Sequence, residues 1–394
     1  MIETITLICL VGVAYHYIGY PLLLAAWDRA TRTPDKLPIS DGNLRQSVTV
    51  ILCVHNEAFL LADRLINILD SAPTGTEIIV VSDGSTDDTD AIARSFLDRG
   101  VRLVVQSPRQ GKGQAINAGM AIANGSIAVL TDANATFDSG AIGKLIRTFA
   151  DPSVCIASGA LKIRNDDTND SSNLVGSSEG LYWRYESEIR RIETSLGSTV
   201  SVVGPILALR RSLWEPIPPG VINDDAFLAL RTLRSGHRVV FVPDAVCWRS
   251  PSRDLTRERE RRARMGAGRY QLIASVQLWP FHSPKLLLFW LSHKVLRILS
   301  PIMLVGAGVG TLFVLASDTG QASPAFWWTM AAPQIALYGL ALFGLAREKT
   351  ARGKKGIARL ASLAALFVQV NLGAAAGFWR YALGRQSTQW KKTR

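Results

Sequence analysis

The stretch that decides the fold is Ser-Ile-Ala-Val-Leu-Thr-Asp-Ala-Asn at residues 126–134. Residues 127–130 form an uninterrupted apolar run with β-branched members, which is typical of a strand buried on both faces. Asp132 and Asn134 would emerge at its carboxyl end, where open α/β sheets bind their ligands. Two oxygen-bearing side chains at this spacing can hold a hard divalent cation. A plain strand-to-turn transition is the alternative, because Asp and Asn are also common turn residues.

The chain around this stretch alternates between strand and helix patterns. Each strand is followed by a helix, the strands falling at 47–53, 77–81 and 101–105 and the helices at 60–69, 88–99 and 113–123. Such alternation predicts an α/β domain with a parallel sheet and helices on both faces. The loops that follow the strands should therefore meet at one edge of the sheet.

Those loops carry polar residues. The first strand ends in His-Asn-Glu at 55–57, the second in Asp-Gly-Ser-Thr-Asp-Asp at 83–88, and the third leads into Gly-Lys-Gly at 111–113. Exposed N–H groups and a cation at the start of a helix favour phosphate. Taken singly, these motifs fit a capped turn or a solvated loop equally well. Their recurrence at successive strand ends indicates a ligand site.

The whole chain of 394 residues is both basic and apolar, with a formal charge of +12 and 48% hydrophobic residues. This combination is typical of a membrane protein and argues against nucleic acid as a partner. A signal peptide is disfavoured at the N-terminus, because Glu3 replaces the basic region and the apolar stretch is too long. Apolar stretches long enough to cross a bilayer occur at 5–27, 298–317, 325–346 and 360–381.

Basic residues flank these stretches on one side. Arg29 and Arg32 follow the first span, Lys294 and Arg297 precede the second, and further basic residues fill 347–359. The positive-inside rule then places the globular domain in the cytoplasm of a protein integral to the cell membrane. The basic tail does not fit this scheme, because four simple spans would place it outside the cell. Either the last segment re-enters the membrane or the count of spans is wrong by one.

The predicted organisation has four parts. Between the domain and the second span, residues 271–297 mix apolar residues with Trp, His and Lys and are broken by two prolines, which suits helices at the membrane interface. A surface helix packed on the domain is the alternative. The parts are an N-terminal transmembrane helix at 1–32, a globular domain at 33–270, interfacial helices at 271–297, and a region of about three spans with a basic tail at 298–394.

Together the motifs resemble family 2 glycosyltransferases of the GT-A fold. Within that family the chain resembles the membrane-integrated branch, which includes cellulose, hyaluronan and poly-N-acetylglucosamine synthases. The resemblance covers nearly the whole chain and implies a Rossmann-like domain with a largely parallel mixed sheet. The motifs that carry it are Val-His-Asn-Glu at 54–57, Ser-Asp-Gly-Ser-Thr-Asp-Asp-Thr at 82–89, Gly-Lys-Gly-Gln-Ala-Ile-Asn-Ala-Gly at 111–119, Thr-Asp-Ala-Asn at 131–134, Gly-Pro-Ile-Leu-Ala-Leu-Arg-Arg at 204–211 and Asn-Asp-Asp at 223–225.

The resemblance implies a nucleotide-sugar donor and Mg²⁺ or Mn²⁺ as cofactor. Glu57 and Asp83 would hold the base and ribose, and Lys112 would lie near the diphosphate. Asp132 would lead the family's Asp-x-Asp motif and bind the metal with Asn134, which keeps a carbonyl ligand but loses one negative charge. The residues implied for the donor are Asn56, Glu57, Asp83, Lys112, Asn117, Asp132 and Arg264.

For catalysis the resemblance singles out an acidic pair. Asp224 and Asp225 precede a helical stretch and a Gly-His-Arg turn at 236–238, as the acidic pair of the family does. Asp225 would take the proton from the acceptor hydroxyl, and the neighbouring like charge would raise its pKa toward a useful value. From the residues alone, two acids at the start of a helix are also explained by the helix macrodipole.

The acceptor side is less defined. Trp183 lies in an aromatic stretch that suits sugar stacking, although Tyr182 and Tyr185 have the spacing of core residues on a helix. Gly204 and Pro205 would lie where the backbone must approach the acceptor closely.

The largest departure from the family lies at 261–265. Processive synthases of this branch carry Gln-x-x-Arg-Trp, whereas this chain has Arg-Arg-Ala-Arg-Met, which keeps Arg264 but lacks the Gln and the Trp. A basic face beside anionic lipid headgroups is a second interpretation of the arginines.

These features predict an inverting, metal-dependent transfer of a sugar, from a UDP-sugar, to a glycan or lipid-linked acceptor at the cytoplasmic face of the membrane. The expected context is exopolysaccharide or cell-envelope glycan synthesis. A processive polysaccharide synthase-translocase is the first alternative. A non-catalytic membrane scaffold that binds nucleotide sugars is the second, and the retained Asp83, Lys112 and Asp225 argue against it.

Overall fold

The computed structural model describes residues 1–31, 46–164, 174–250, 255–317, 322–346 and 356–384. Several basic residues used above to orient the spans lie outside these ranges, namely Arg32 and those at 347–355 and 385–394. The described residues form a domain around one sheet, together with a set of long apolar helices.

A mixed sheet of eight strands lies at the centre of the domain, in the order β3-β2-β1-β4-β7-β6-β8-β5. The strands are β1 (Val48–Val54), β2 (Glu77–Asp83), β3 (Val101–Gln106), β4 (Ile127–Thr131), β5 (Thr136–Phe137), β6 (Val154–Ile163), β7 (Leu207–Arg210) and β8 (Arg238–Arg249). The first four strands are parallel to one another, whereas β7 is antiparallel to both β4 and β6. The predicted α/β fold with a largely parallel mixed sheet is confirmed.

Helices connect the strands and extend the chain at both ends. They are α1 (Ile2–Thr31), α2 (Ala58–Ser71), α3 (Thr89–Arg94), α4 (Lys112–Ile122), α5 (Ala141–Arg147), α6 (Leu174–Ser195), α7 (Asp224–Arg234), α8 (Leu255–Ala274), α9 (Pro284–Ala316), α10 (Pro324–Ala346) and α11 (Ile357–Ala382). Short 3₁₀ turns lie at Leu97–Arg99, Thr148–Ala150, Arg211–Leu213 and Val276–Leu278. A turn of π-helix occurs within α1 at Tyr15–Gly19 and within α9 at Trp290–Val295.

Both faces of the sheet are covered, which explains the continuous apolar character of its central strands. Every residue of β1 and β4 is buried. One face packs against α2 through Leu61 and Leu65. The other packs against α4 through Ile116 and Met120, and α7 joins the same layer. Because both faces are closed, the polar side chains of the central strands are left at the strand ends.

Four helices, α1, α9, α10 and α11, are long and apolar enough to cross a membrane. They overlap the four predicted spans. The segment predicted as interfacial helices at 271–297 divides in two, because the chain is helical without a break from Pro284 to Ala316. Ser283 begins this helix by accepting the N–H of Leu286 at 3.4 Å, and a proline at the first helical position favours the same start.

Small residues let the apolar helices approach closely. A Cβ added to Gly310 of α9 would lie 2.0 Å from the hydroxyl of Thr6 on α1. A Cβ added to Gly377 of α11 would lie 2.7 Å from the backbone of Gly266 on α8. Close packing of small residues is the usual way in which helices associate in a bilayer. The last candidate span is thereby held directly against α8.

We expect a side chain at position 159 to disrupt the contact between β6 and β8. A Cβ at this position of β6 would lie 2.1 Å from the carbonyl oxygen of Ala245. Gly159→Ala should therefore lower the free energy of unfolding by about 1–3 kcal/mol, measured by thermal and denaturant unfolding of the purified chain in detergent.

Gly143→Ala is the matched control for that substitution. Gly143 lies inside α5, and nothing comes within 4 Å of an added Cβ. Alanine is favoured over glycine inside a helix by roughly 0.5–1 kcal/mol, so this variant should unfold at the same or a higher temperature. Equal unfolding of the two variants would contradict the close approach of β6 and β8.

Candidate active site

The carboxyl ends of β1 and β4 and the first turns of α4 and α7 meet at one edge of the sheet. They border a cavity of about 1380 Å³ that continues to α6, α8, α9 and α11. Ligand pockets typically measure roughly 300–1,000 Å³, so this cavity has room for two substrates at once. At the sheet edge it is lined by Cys53, Glu57, Lys112, Asp132, Ala133, Asn134, Gly204, Pro205, Asn223, Asp224 and Asp225.

A single ammonium group joins the acids of two elements. Lys112, at the start of α4, donates to Asp132 Oδ1 at 2.7 Å and lies 3.6 Å from Asp224 Oδ2. Burial alone would raise the pKa of the Asp132 carboxyl, but Lys112 holds that pKa below its usual value. Burial would likewise lower the pKa of Lys112, and its attraction to both carboxylates raises it instead. Lys112 and Asp132 are therefore both charged at neutral pH.

The end of β4 is fixed from two directions. Arg64 of α2, only 3% exposed, donates from Nε to the carbonyl oxygen of Asp132 at 3.1 Å. The hydroxyl of Thr131 donates to the carbonyl oxygen of Pro205 at 2.7 Å. These contacts tie Asp132 to α2 and to the Gly-Pro turn predicted to approach the acceptor. Sequence reasoning missed Arg64, because an arginine inside a helix carries no signal of what it contacts.

Asp225 occupies the first turn of α7, where its Oδ1 accepts the N–H of Ala226 at 2.7 Å. A Cβ added to Gly204 would lie 2.9 Å from Oδ2, so a glycine is needed for the carboxylate to lie against this turn. Burial, and then repulsion by Asp224, raises the pKa of Asp225, although Lys112 acts in the opposite direction. The acidic pair thus contains two different groups, one paired with a lysine and one that holds a proton more readily than usual.

The loop that leads into α7 is held by α8. Asn223 donates from Nδ2 to the carbonyl oxygen of Met265 at 2.9 Å. Gln271 accepts the N–H of Ile222 at 3.2 Å and donates to the carbonyl oxygen of Gly220 at 2.9 Å. The helix that lies on the last candidate span therefore also positions the acidic pair. The role of Gln271 could not be predicted from the sequence, because it depends on a contact with a distant loop.

Asp83 does not line the cavity. Its side chain is completely buried, and its two carboxylate oxygens accept the N–H groups of Gln110 and Gly111 at 2.7 and 2.8 Å. In this structure Asp83 shapes the loop that delivers Lys112. Its contact with the nucleotide stays a prediction.

Asn56 and Asn117 also make contacts inside the fold and lie outside the cavity lining. Asn56 has a φ of 56°, and its Oδ1 accepts the N–H of Thr86 at 2.7 Å. Asn117 accepts the N–H of Ile217 at 2.8 Å and donates to its carbonyl oxygen at 2.9 Å. Both asparagines order loops beside the site, and their donor roles stay predictions.

Glu57, Arg264 and Trp183 line the cavity together with the sheet-edge residues. Burial lowers the pKa of Arg264, whereas attraction to Asp224 acts to raise it. Trp183 lies under the guanidinium of Arg190, 5.6 Å from the ring centroid. The residues predicted for the donor and for the acceptor therefore share one space, with Arg264 close to the acidic pair.

Asp132 and Asn134 are the residues that fit a metal. Asn134 Oδ1 is buried and, within the described chain, has no hydrogen-bond partner. A buried carbonyl oxygen without a hydrogen-bond partner lowers the stability of the fold, and a bound cation would supply the missing partner. No group of three or more His, Cys, Asp or Glu suited to a metal occurs among the described residues. The pair fits Mg²⁺ or Mn²⁺ as a partial ligand set, which donor phosphates and water would complete.

Comparison with known proteins gives a family match for the domain and shows the fold. A model of glycosyl transferase family 2 matches residues 49–215. A poly-beta-1,6-N-acetyl-D-glucosamine synthase of Staphylococcus aureus (strain COL) is 24% identical over 248 residues, which are 61% of this chain and 58% of the relative. The synthase of the same name from Staphylococcus epidermidis is 22% identical over 279 residues, or 69% of this chain and 66% of that one.

A mannosyltransferase from Pyrobaculum calidifontis has a similar structure over almost the whole chain. The TM-score is 0.72 at 23% sequence identity, and the match covers 97% of this chain and 100% of the other. At this identity the likeness shows the fold. The resemblance drawn from the motifs is confirmed for the domain: residues 49–215 match the model of glycosyl transferase family 2, and the fold is of the GT-A type.

Proposed function

We propose that this protein transfers a sugar from a nucleotide-sugar donor, a UDP-sugar, to a hydroxyl group of a glycan or lipid-linked acceptor, with inversion at the anomeric carbon. The observation that carries the proposal is the meeting of Lys112, Asp132 and Asp225 on one cavity. That cavity reaches from the sheet edge, where α/β folds bind nucleotides, to the apolar helices.

At the sheet edge, Lys112 supplies a positive charge for the donor diphosphate. Its ammonium group lies at the start of α4, where the N–H groups of the first helical turn also favour phosphate. When bound by Asp132 and Asn134, a divalent cation would supply further positive charge for the departing diphosphate. Stabilising a leaving group in this way acts mainly in the transition state.

Asp225 supplies the base. Its Oδ1 is engaged by the Ala226 N–H, so Oδ2 takes the proton. As the acceptor oxygen attacks the anomeric carbon, the bond from that carbon to the diphosphate oxygen breaks and the hydroxyl proton passes to Asp225. A raised pKa makes the carboxylate a better proton acceptor. An α-linked donor would give a β-linked product.

The comparisons support this proposal in its substrate class. The staphylococcal relatives are named poly-beta-1,6-N-acetyl-D-glucosamine synthases, and the mannosyltransferase was solved in complex with GDP-Man and Mn²⁺. Together they support a nucleotide-sugar donor and a divalent metal. The four apolar helices support a location in the cell membrane, and the basic residues beside them support a cytoplasmic catalytic domain.

Chain extension, the work of a processive synthase-translocase, is a second candidate function. The names of the staphylococcal relatives and the extension of the cavity to α11 favour it. The missing Trp weighs against it, because Met265 stands at that position beside Arg264. The length of the product, read by mass spectrometry after incubation with a panel of UDP-sugars, separates chain extension from single addition.

Replacing the base should stop transfer without disturbing donor binding. Asp225→Asn keeps the shape of the side chain but cannot take a proton, and we expect turnover to fall about 10²–10⁴-fold. Nucleotide release is measured in membranes, and donor binding by calorimetry. Asp63→Asn, which removes an exposed acid of α2, should leave turnover unchanged. Wild-type turnover in Asp225→Asn would rule out this base.

The pH profile should report the influence of Asp224 on the base. Because the pKa of Asp225 is raised, kcat/KM should fall on acidification at a higher pH than an ordinary aspartate would give. Asp224→Asn removes the repulsion, so the charged form of Asp225 becomes easier to form and the acidic limb should move to lower pH. The measured quantity is the pH at which kcat/KM has fallen to half of its plateau value, and not the plateau value itself. If this pH stays the same or rises in Asp224→Asn, the proposed effect of Asp224 on the pKa of Asp225 is excluded.

The charge at position 134 should set the affinity for the metal. Asn134→Asp adds a carboxylate and should bind Mn²⁺ more tightly than the wild type, whereas Asn134→Ala loses an oxygen ligand and should bind it more weakly. Binding is followed by electron paramagnetic resonance of Mn²⁺ in the presence of UDP. Asn124→Asp, at an exposed position before β4, is the control and should not change the affinity. Equal affinities in all four proteins would disprove the metal site.

A further inference from the structure

The part of the cavity that is lined by α6, α8 and α9 is strongly basic. We refer to Arg190, Arg269, Lys294 and Arg297 as the basic end. Glu186 is the acid that these groups share. It accepts from Arg190 Nη2 at 3.1 Å and from Arg297, and it lies 4.0 Å from Lys294. One carboxylate thus faces four cations.

The neighbouring acid does not offset the excess. Glu193 is fully buried and already accepts from the hydroxyls of Tyr20 at 2.7 Å and Thr199 at 2.6 Å. It also pairs with His293 Nδ1 at 2.8 Å. These contacts join α1, α6 and α9 and explain Glu193 as a structural group. Even with Glu193 counted, two carboxylates stand against the four cations, so the basic end keeps a net positive charge.

Several donors at this end have no acceptor. Arg190 Nη1 and the indole N–H groups of Trp183 and Trp290 are buried and unpaired within the described part of the chain. Arg190 itself is only 4% exposed. The guanidinium of Arg269 forms no hydrogen bond or ion pair with any described residue, although it lines the cavity. Unpaired buried donors are rare in native proteins, and a set made only of donors calls for an anion.

The walls beside the basic end are apolar. Leu272 and Ile273 of α8 face the same cavity as Leu366, Val370 and Ala374 of α11. Since α11 is one of the candidate spans, the cavity joins a cationic surface to a surface that borders the hydrocarbon region. A neutral glycan would leave both the charges and the apolar wall without a complement. An amphiphile with an anionic head matches both.

We propose that the basic end binds the phosphate or diphosphate bridge of a lipid-linked sugar, with the lipid chain lying along the apolar residues of α8 and α11 that line the cavity. This inference deepens the proposed function and rests on it, because it makes the acceptor a sugar on a phosphorylated lipid, and a hydroxyl group of that sugar gives its proton to Asp225. The position of Arg269 is consistent with that role, since its guanidinium interacts electrostatically with both Arg297 and Asp225. The bound head would lie on the path to the base.

Binding to the full-length chain in detergent tests this assignment. The probe is dodecyl phosphate, followed by calorimetry and by tryptophan fluorescence, since Trp183 and Trp290 line the site. Arg269→Gln removes a cation that forms no hydrogen bond or ion pair with the described residues, so it should weaken dodecyl phosphate binding at least about tenfold with unfolding unchanged. Arg191→Gln removes an exposed cation of α6 that pairs with Glu188, and it should have no effect.

Two comparison ligands identify the source of the anion. Inorganic phosphate should bind at least tenfold more weakly than dodecyl phosphate, and dodecyl maltoside should not compete. Equal binding of inorganic phosphate would overturn the lipid assignment in favour of a free phosphate. Unchanged binding of dodecyl phosphate in Arg269→Gln would overturn the site itself.

Donor binding in the same preparations separates this inference from the proposed function. If dodecyl phosphate binds as expected and a UDP-sugar with Mn²⁺ does not, the lipid site stands and the proposed donor function fails. If the UDP-sugar binds equally to wild type and Arg269→Gln while dodecyl phosphate binds to neither, the lipid site fails and the donor function stands.

Discussion

The ammonium group of Lys112, held between Asp132 and Asp224, is the interaction on which the rest of the site depends. It connects β4, α4 and α7, which bring three carboxylates into one buried space. Like charges in such a space repel strongly because the local dielectric is low. The lysine relieves this repulsion before any ligand arrives, so the acids can be assembled by folding alone. Asp225 has no such ion pair with the lysine, and burial, followed by repulsion from Asp224, raises its pKa.

The membrane-side helices also take part in positioning the base. α8 holds the loop before α7 through Asn223 and Gln271, and the same helix lies against α11 at Gly266. A displacement of α11 would therefore be transmitted to the acidic pair through a short series of direct contacts. In the proposed reaction this links the binding of an acceptor against α8 and α11 to the position of the base. The Gly-rich contact of the two helices thus belongs to the site as well as to the packing.

The sequence was sufficient for the four parallel strands and for the edge at which the site lies, because both depend on local pattern, whereas β5 to β8 were not predicted from it. A buried strand needs a continuous apolar run, and parallel strands deliver their loops to one edge. The contacts of Arg64 and Gln271 could not be predicted, since each depends on where a distant backbone segment arrives. Motif matching identified Asp83 as a residue that the family retains. It did not reveal that the carboxylate of Asp83 accepts two N–H groups of its own loop.

The two ends of the cavity have opposite charge, and this has a consequence for how two phosphate-bearing substrates could share it. At the sheet edge Lys112 attracts a phosphate, but the three carboxylates beside it oppose an uncomplexed one, whereas Arg190 and Arg269 at the basic end attract it. A diphosphate that carries a divalent cation brings its own positive charge, and so it is accepted at the acidic end. In the proposed reaction a metal bound by Asp132 and Asn134 would therefore also favour the donor at the sheet edge. The basic end is then left to the other substrate, so that the acceptor hydroxyl approaches Asp225 from the side of the membrane helices.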